Sequence, residues 1–167
     1  GGALSLLLSA IEKRLARVKY WRVLGWLLIV LSLDEAASLH ERTGLLFNNL
    51  NLTGALQYAW VIPGTALIVV AGLWFLGFFK QLEPRLRNNL MMAGGLYVTG
   101  ALGVEFLEGA VASGAVFGAI GEEGLAYNTV VVVQELMEMA ALVILISVLF
   151  QEIKRQGQGR GLTIDIL

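Results

Sequence analysis

Cysteine is absent from the 167 residues. Disulfides, thiolate zinc sites, iron–sulfur clusters and cysteine nucleophiles are therefore excluded. Histidine occurs once, at His40, so any metal site must be built mainly from oxygen. Charge is scarce as well: 15% of residues are Asp, Glu, Lys or Arg, against 57% hydrophobic. No nucleotide-binding loop, serine-nucleophile motif or nucleic-acid-binding patch is present. With a mean hydropathy of +0.73 the chain is far too apolar for an ordinary soluble domain. The composition predicts an all-α, multipass membrane protein forming a single membrane domain over 1–167.

Residues 3–19 read as an amphipathic helix lying on an anionic membrane surface. Leu4, Leu7, Leu8, Ile11, Leu15 and Val18 fall at helical spacing, and Lys13, Arg14, Arg17 and Lys19 follow. The basic run comes after the apolar one, the reverse of a cleaved signal peptide. Four spans are expected, at about 20–40, 56–79, 90–111 and 127–150, with 151–167 as a polar tail. Pro63 should kink or start the second span. In the third, Gly95, Thr99 and Gly103 make a small-residue stripe suited to close helix approach.

Four spans in an up-down bundle put both termini on one side. Of the twelve Lys and Arg residues, only Arg42 falls on the other side. The positive-inside bias thus places both termini in the cytoplasm, with a bacterial inner (plasma) membrane as the expected setting.

The acids run the other way. Asp34, Glu35, Glu41, Glu105, Glu108, Glu122, Glu123, Glu135 and Glu138 all lie in the outer half or the outer loops. At 1.5 Å per residue, Asp34, the pair Glu105/Glu108 and the pair Glu135/Glu138 reach one level to within a turn or two. Each Glu-x-x-Glu pair shares a helical face. Asp34, Ser38 and Glu41 form a stripe at i, i+4, i+7, from which Glu35 and His40 point away on an ideal helix.

A carboxylate at bilayer depth costs roughly 2.5–3.5 kcal/mol even on insertion scales, so each needs a partner. No Lys or Arg sits at this depth in the sequence; Arg42 and His40 are the nearest cations. Either several acids are protonated or bound cations compensate. The expected metal ligands are Asp34, Glu105, Glu108, Glu135 and Glu138, with His40 and Glu41 as further candidates. Oxygen donors with one imidazole suit iron, manganese, zinc, magnesium or calcium rather than copper(I), and the expected ion is iron, manganese or zinc, single or as a pair. Carboxylate di-iron bundles use Glu-x-x-His pairs, whereas the pairs here are Glu-x-x-Glu. The plainer alternative is hydrogen bonding to Ser38, Thr99, Tyr97, Tyr127 or Asn128. Glu122 and Glu123 read as solvated loop charges, and Met137 and Met139 as packing residues.

The segments LDEAASLHE (33–41), GVEFLEG (103–109) and QELMEM (134–139) resemble a motif set of uncharacterised bacterial multipass membrane proteins. In that set the last helix often reads Glu-Glu-x-x-Glu-Met; Gln134 stands here for its first Glu. The resemblance covers most of 20–150 and implies no particular activity. The Glu-x-x-Glu helices are also similar to those of high-affinity iron permeases, which carry an Arg before the first Glu and have more spans. Val104 and Gln134 occupy those places here.

Three functions fit these residues. The first is a carboxylate metal site facing the outer side, serving redox chemistry or metal handling. The second is a proton or cation pathway, which needs a homo-oligomer because four spans are few for a transporter. The third is an accessory subunit of a larger membrane complex. The lipid bilayer is the expected partner in all three, and nucleic acid in none.

Overall fold

A computed structural model describes residues 1–39, 42, 52–116 and 124–158. The described residues form helices and turns, with no strand among them. Helix α1 spans Gly2–Ile11 and α2 spans Leu15–Ala37. A 3-10 turn at Gly54–Leu56 precedes α3, Val61–Phe79. Helix α4, Pro84–Val98, runs through a π-helical segment, Thr99–Val104, into α5, Glu105–Ala112. Helix α6 covers Leu125–Gln158.

Three stretches are long and apolar enough to cross a membrane: Val61–Phe79, Pro84–Ala112 and Leu125–Gln158. They correspond to the second, third and fourth expected spans and mark a membrane protein. The expected first span does not join them. Helix α2 is long enough, but Arg17, Lys19 and Arg22 load its first half, and Asp34 and Glu35 its last turn.

The single helix expected over 3–19 is two helices. The chain leaves α1 at Glu12, in extended conformation (φ −69°, ψ 124°), and re-enters a helix at Leu15. No Gly or Pro marks this break. Tertiary contacts make it instead: Glu12 accepts bonds from the Arg14 backbone N–H (3.0 Å) and from Trp21 Nε1 (3.2 Å). Helix α1 then folds back along α2 and also touches α6. It does not lie alone on a surface, because Ser5, Leu8 and Ser9 are buried. Ser5 Oγ donates to the Trp21 carbonyl at 2.7 Å. Gly25 allows the approach, since a Cβ there would sit 2.8 Å from Leu6.

The core gathers at this end of the bundle. Leu8, Trp21, Phe75, Phe78, Leu86, Val148, Leu149 and Ile153 come from α1, α2, α3, α4 and α6. Trp21 meets Phe78 edge-on at 4.9 Å, and Tyr20 stacks on Phe78 at 5.1 Å. Helix α3 turns most of its remaining residues outward, including Leu67, Val70 and Leu73, as a lipid-facing helix should. Pro63 falls in its first turn, where a missing N–H removes no helical bond, so it starts the helix. Pro84 does the same at the start of α4. The basic segment 80–89, which falls between the second and third expected spans, is therefore helical from Pro84 onward.

The last helix is longer than expected. It continues past residue 150, and Glu152, Ile153 and Gly157 are buried. Residues 151–158 thus pack as helix and are not a loose tail; 159–167 lie outside the described residues.

The small-residue stripe works differently from its sequence pattern. Nothing lies within 4 Å of a Cβ built on Gly95, and on Gly103 it meets only Thr99 of the same helix. The close approach to α6 comes at Gly100, where a Cβ would sit 3.1 Å from Glu138 Cγ and 3.3 Å from Met137 Cβ. A π-turn inserts extra chain into a helix and shifts which face meets the neighbour. Gly100 lies off the i, i+4 stripe, which is why the Gly95/Thr99/Gly103 spacing misleads.

Candidate functional site

Away from the core the helices spread and enclose a cavity of about 840 Å³. Carboxylates reach its wall from three helices: Asp34 and Glu35 on α2, Glu105 and Glu108 on α5, Glu135 and Glu138 on α6. Among the described lining residues none is Lys or Arg. The acids differ in depth. Glu105 and Glu108 are buried, each 8% exposed. Asp34 and Glu138 are half-buried, while Glu35 and Glu135 stand exposed.

Two neutral donors hold Glu105. Trp60 Nε1 donates to one of its oxygens at 3.0 Å, and Gln134 Nε2 to the other at 2.9 Å. The Gln134 amide also reaches Glu138, 3.5 Å away and four residues on along α6. A single amide thereby ties two carboxylates from different helices. The carbonyl oxygen of Gln134 is buried and has no hydrogen-bond partner among the described residues. Turning the amide over would aim that oxygen at two carboxylates, so the donor end is the one that fits.

Glu108 is held by Tyr127, whose hydroxyl donates to it at 2.6 Å. Tyr58 lies 3.2 Å from the same hydroxyl. Short O–H···O⁻ contacts of this kind are the stronger class of hydrogen bond. The local folding that positions these groups is legible in the chain. Glu105 opens α5 directly after the π segment, and Glu108 follows one turn later. Gly109 lets the 3-10 turn press against α5, since a Cβ there would lie 3.1 Å from the Gly54 carbonyl. Gly54 itself takes a positive φ of 66°, which favours glycine. Tyr58 and Trp60 follow that turn and are delivered to the acids.

Of the residues expected as metal ligands, the structure brings Asp34, Glu105, Glu108, Glu135 and Glu138 to one cavity. His40 and Glu41 lie outside the described residues, as do Glu122 and Glu123. Glu35 lines the cavity although its position on an ideal helix points away from the Asp34 stripe. The helix ends just beyond, at Ser38 in left-handed conformation (φ 46°, ψ 47°). Sharing a cavity is not the same as forming a metal centre. Among the described residues, no three or more His, Asp and Glu side chains form a group able to hold a metal ion.

The alternative hydrogen-bond partners divide. Tyr127 is one, and Ser38 and Tyr97 line the cavity. Thr99 bonds the Gly95 carbonyl and Asn128 the Gly124 carbonyl, each within its own helix. Trp60 and Gln134 were not foreseen in this role. In the sequence Gln134 reads as a lost acid. Its i, i+4 spacing to Glu138 was the available signal.

Chemically, an acidic wall with a neutral hydrogen-bonded backing can attract a cation or take up protons. No curated protein and no solved structure matches the chain. Residues 2–153 match the model of the domain of unknown function DUF8692, and the chain belongs to that family.

Proposed function

We propose that this membrane protein takes up a cation at the acidic wall of the cavity, in the outer half of the bilayer, in the service of metal handling or redox chemistry. The observation that carries the reading is the convergence of six carboxylates from three helices on one cavity. Glu105 and Glu138 form the inner ligands, bridged by Gln134, whose amide oxygen, without a partner among the described residues, is a further neutral donor atom. Glu108, Glu135 and Asp34 supply additional oxygens. All-oxygen surroundings suit manganese best among the redox-capable divalent ions; iron and zinc are taken up less readily by such a donor set, and redox work requires manganese or iron. Loading draws the Glu135 and Glu138 side chains toward Glu105, because the acids do not yet form a three-ligand group.

The test is calorimetric titration of the metal-free protein with Mn²⁺, Fe²⁺ and Zn²⁺, with elemental analysis of the loaded sample. One ion or one pair per chain is expected. Glu105→Gln and Glu138→Gln should each weaken binding at least about tenfold, or roughly 1.4 kcal/mol. Substoichiometric metal in the wild type, with Glu138→Ala leaving stability unchanged, would remove the idea.

A proton pathway is the second reading. The Tyr58–Tyr127–Glu108 series of hydroxyls and carboxylate favours it, since such a series can relay protons without a tight metal. Proteoliposome flux that ignores Glu108→Gln would count against it.

A further inference from the structure

The opposite end of the bundle holds a second cavity, of about 370 Å³. Counted along α6 from Glu138 to Arg155, it lies roughly 25 Å from the acid cavity. Its wall includes Lys13, Arg14, Arg17 and Arg155, together with Glu12 and Glu83. The two acids are already engaged. Glu12 accepts from the Arg14 N–H, from Trp21 Nε1 and from Gln156 Nε2. Glu83 accepts from Arg155 Nη1 at 2.5 Å.

Arg17 is the anomaly. Its side chain is buried, with 6% of the residue exposed, yet its Nε has no hydrogen-bond partner among the described residues. One of its terminal nitrogens donates to the Gln81 carbonyl, a neutral acceptor, while Glu12 and Glu152 act on its charge only through space. A buried guanidinium with an idle N–H is strained in free-energy terms unless an anion meets it. Helices α2 and α4 both begin at this cavity, with Arg14 and Glu83 as their N-caps. At the start of α2 the Arg14 N–H is taken by the Glu12 carboxylate and the Arg17 N–H by the Arg14 carbonyl, so the guanidinium is the group left to meet an anion.

We propose that this cavity binds the phosphate of an anionic phospholipid headgroup. Arg17 makes the inner contact, with Lys13 and Arg14, both exposed, closing over the outer oxygens. A guanidinium fits two phosphate oxygens at once, which a lysine at the same depth could not do. The placement favours a lipid over a free ion. Lys19 and Arg22, both exposed, stand on the next turns of α2, an arrangement proper to a headgroup layer.

The whole chain is purified in detergent and examined by native mass spectrometry and thermal unfolding. Three probes are used: phosphatidylglycerol, phosphatidylcholine and inorganic phosphate. One retained phosphatidylglycerol per chain is expected, with a higher Tm than phosphatidylcholine gives and no response to inorganic phosphate at matched concentration. Stabilisation by inorganic phosphate instead, with no preference between the lipids, keeps the anion site but overturns the lipid. Arg17→Gln should abolish selective retention. Because Arg17 is buried and its replacement can disturb folding, the exposed double variant Lys13→Gln/Arg14→Gln is the second arm. That variant should fold normally and bind phosphatidylglycerol at least threefold more weakly. Equal retention of both lipids by the wild type without a phosphate response, or undiminished binding in the double variant, overturns the proposal.

Discussion

The two ends of the molecule are held together by different physics. At the core end, Leu8, Trp21, Phe78 and Leu149 are almost wholly inaccessible, and five helices interlock around an aromatic cluster. At the cavity end, no comparable cluster exists among the described residues. Contacts there run through hydrogen bonds: Trp60 and Gln134 to Glu105, Tyr127 to Glu108. Close packing transmits strain and resists rearrangement. A hydrogen-bonded wall around open space can exchange partners at small net free energy, because each bond contributes only about 0.5–1.5 kcal/mol. One end is therefore an anchor, and the other is able to admit something.

The largest effect that tests this contrast is Trp21→Ala. Its ring is fully buried, meets Phe78 edge-on and donates to Glu12. Removing it leaves a void between α1, α2 and α3. Losses for such truncations run at about 3–5 kcal/mol. Thermal or denaturant unfolding in detergent measures it. A loss under about 1 kcal/mol would mean that the aromatic cluster is not the anchor and would erase the contrast.

How much of this was legible in the chain follows the same division. Hydropathy alone delivered the membrane class and the three helices long and apolar enough to span, because burial in lipid demands long uninterrupted apolar helices. Depth counting brought Asp34, Glu105, Glu108, Glu135 and Glu138 to one region, because helix rise is nearly constant. What escaped were features decided by tertiary contact. The break at Glu12–Arg14 carries no Gly or Pro and exists because Glu12 turns to Trp21 and α1 folds back on α2. The close approach to α6 falls at Gly100, off the Gly95/Gly103 stripe. Charge counting asked for a cation beside the acids, whereas Trp60, Gln134 and Tyr127, which donate to Glu105 and Glu108, are neutral, and no charge pattern reveals them.

Tyr127→Phe is the matching change at the cavity end. It deletes the hydroxyl that bonds Glu108 at 2.6 Å and meets Tyr58 at 3.2 Å, and it leaves the ring in place. Hydrogen bonds to charged groups contribute about 1.5–3 kcal/mol, and Tyr127 is only half-buried, so about 1.5 kcal/mol is expected. The loss should appear in unfolding experiments and be largely restored by a cation that occupies the site, since the cation takes over the neutralising role. A loss as large as that of Trp21→Ala would sharpen the picture differently, by making the cavity wall itself part of the anchor.

The smallest effect belongs to charge on the anchor's outer surface. Arg155 bonds Glu152, which is 4% exposed, through two nitrogens at 2.8 Å, and reaches Glu83, which is 60% exposed, at 2.5 Å. Glu83→Gln removes only the exposed partner; the Glu152 bonds remain. Exposed pairs contribute about 0.2–1 kcal/mol, so the loss should stay below about 1 kcal/mol. It should also fade as salt rises toward about 1 M, where the screening length falls to about 3 Å. The Tyr127→Phe loss, a hydrogen bond inside the cavity wall, should survive the same titration. Comparing the two variants across salt therefore separates the ends by mechanism as well as by size. If Glu83→Gln instead costs several kcal/mol at every salt concentration, the anchor is held by charge, and aromatic packing loses its place as the reason the two ends differ.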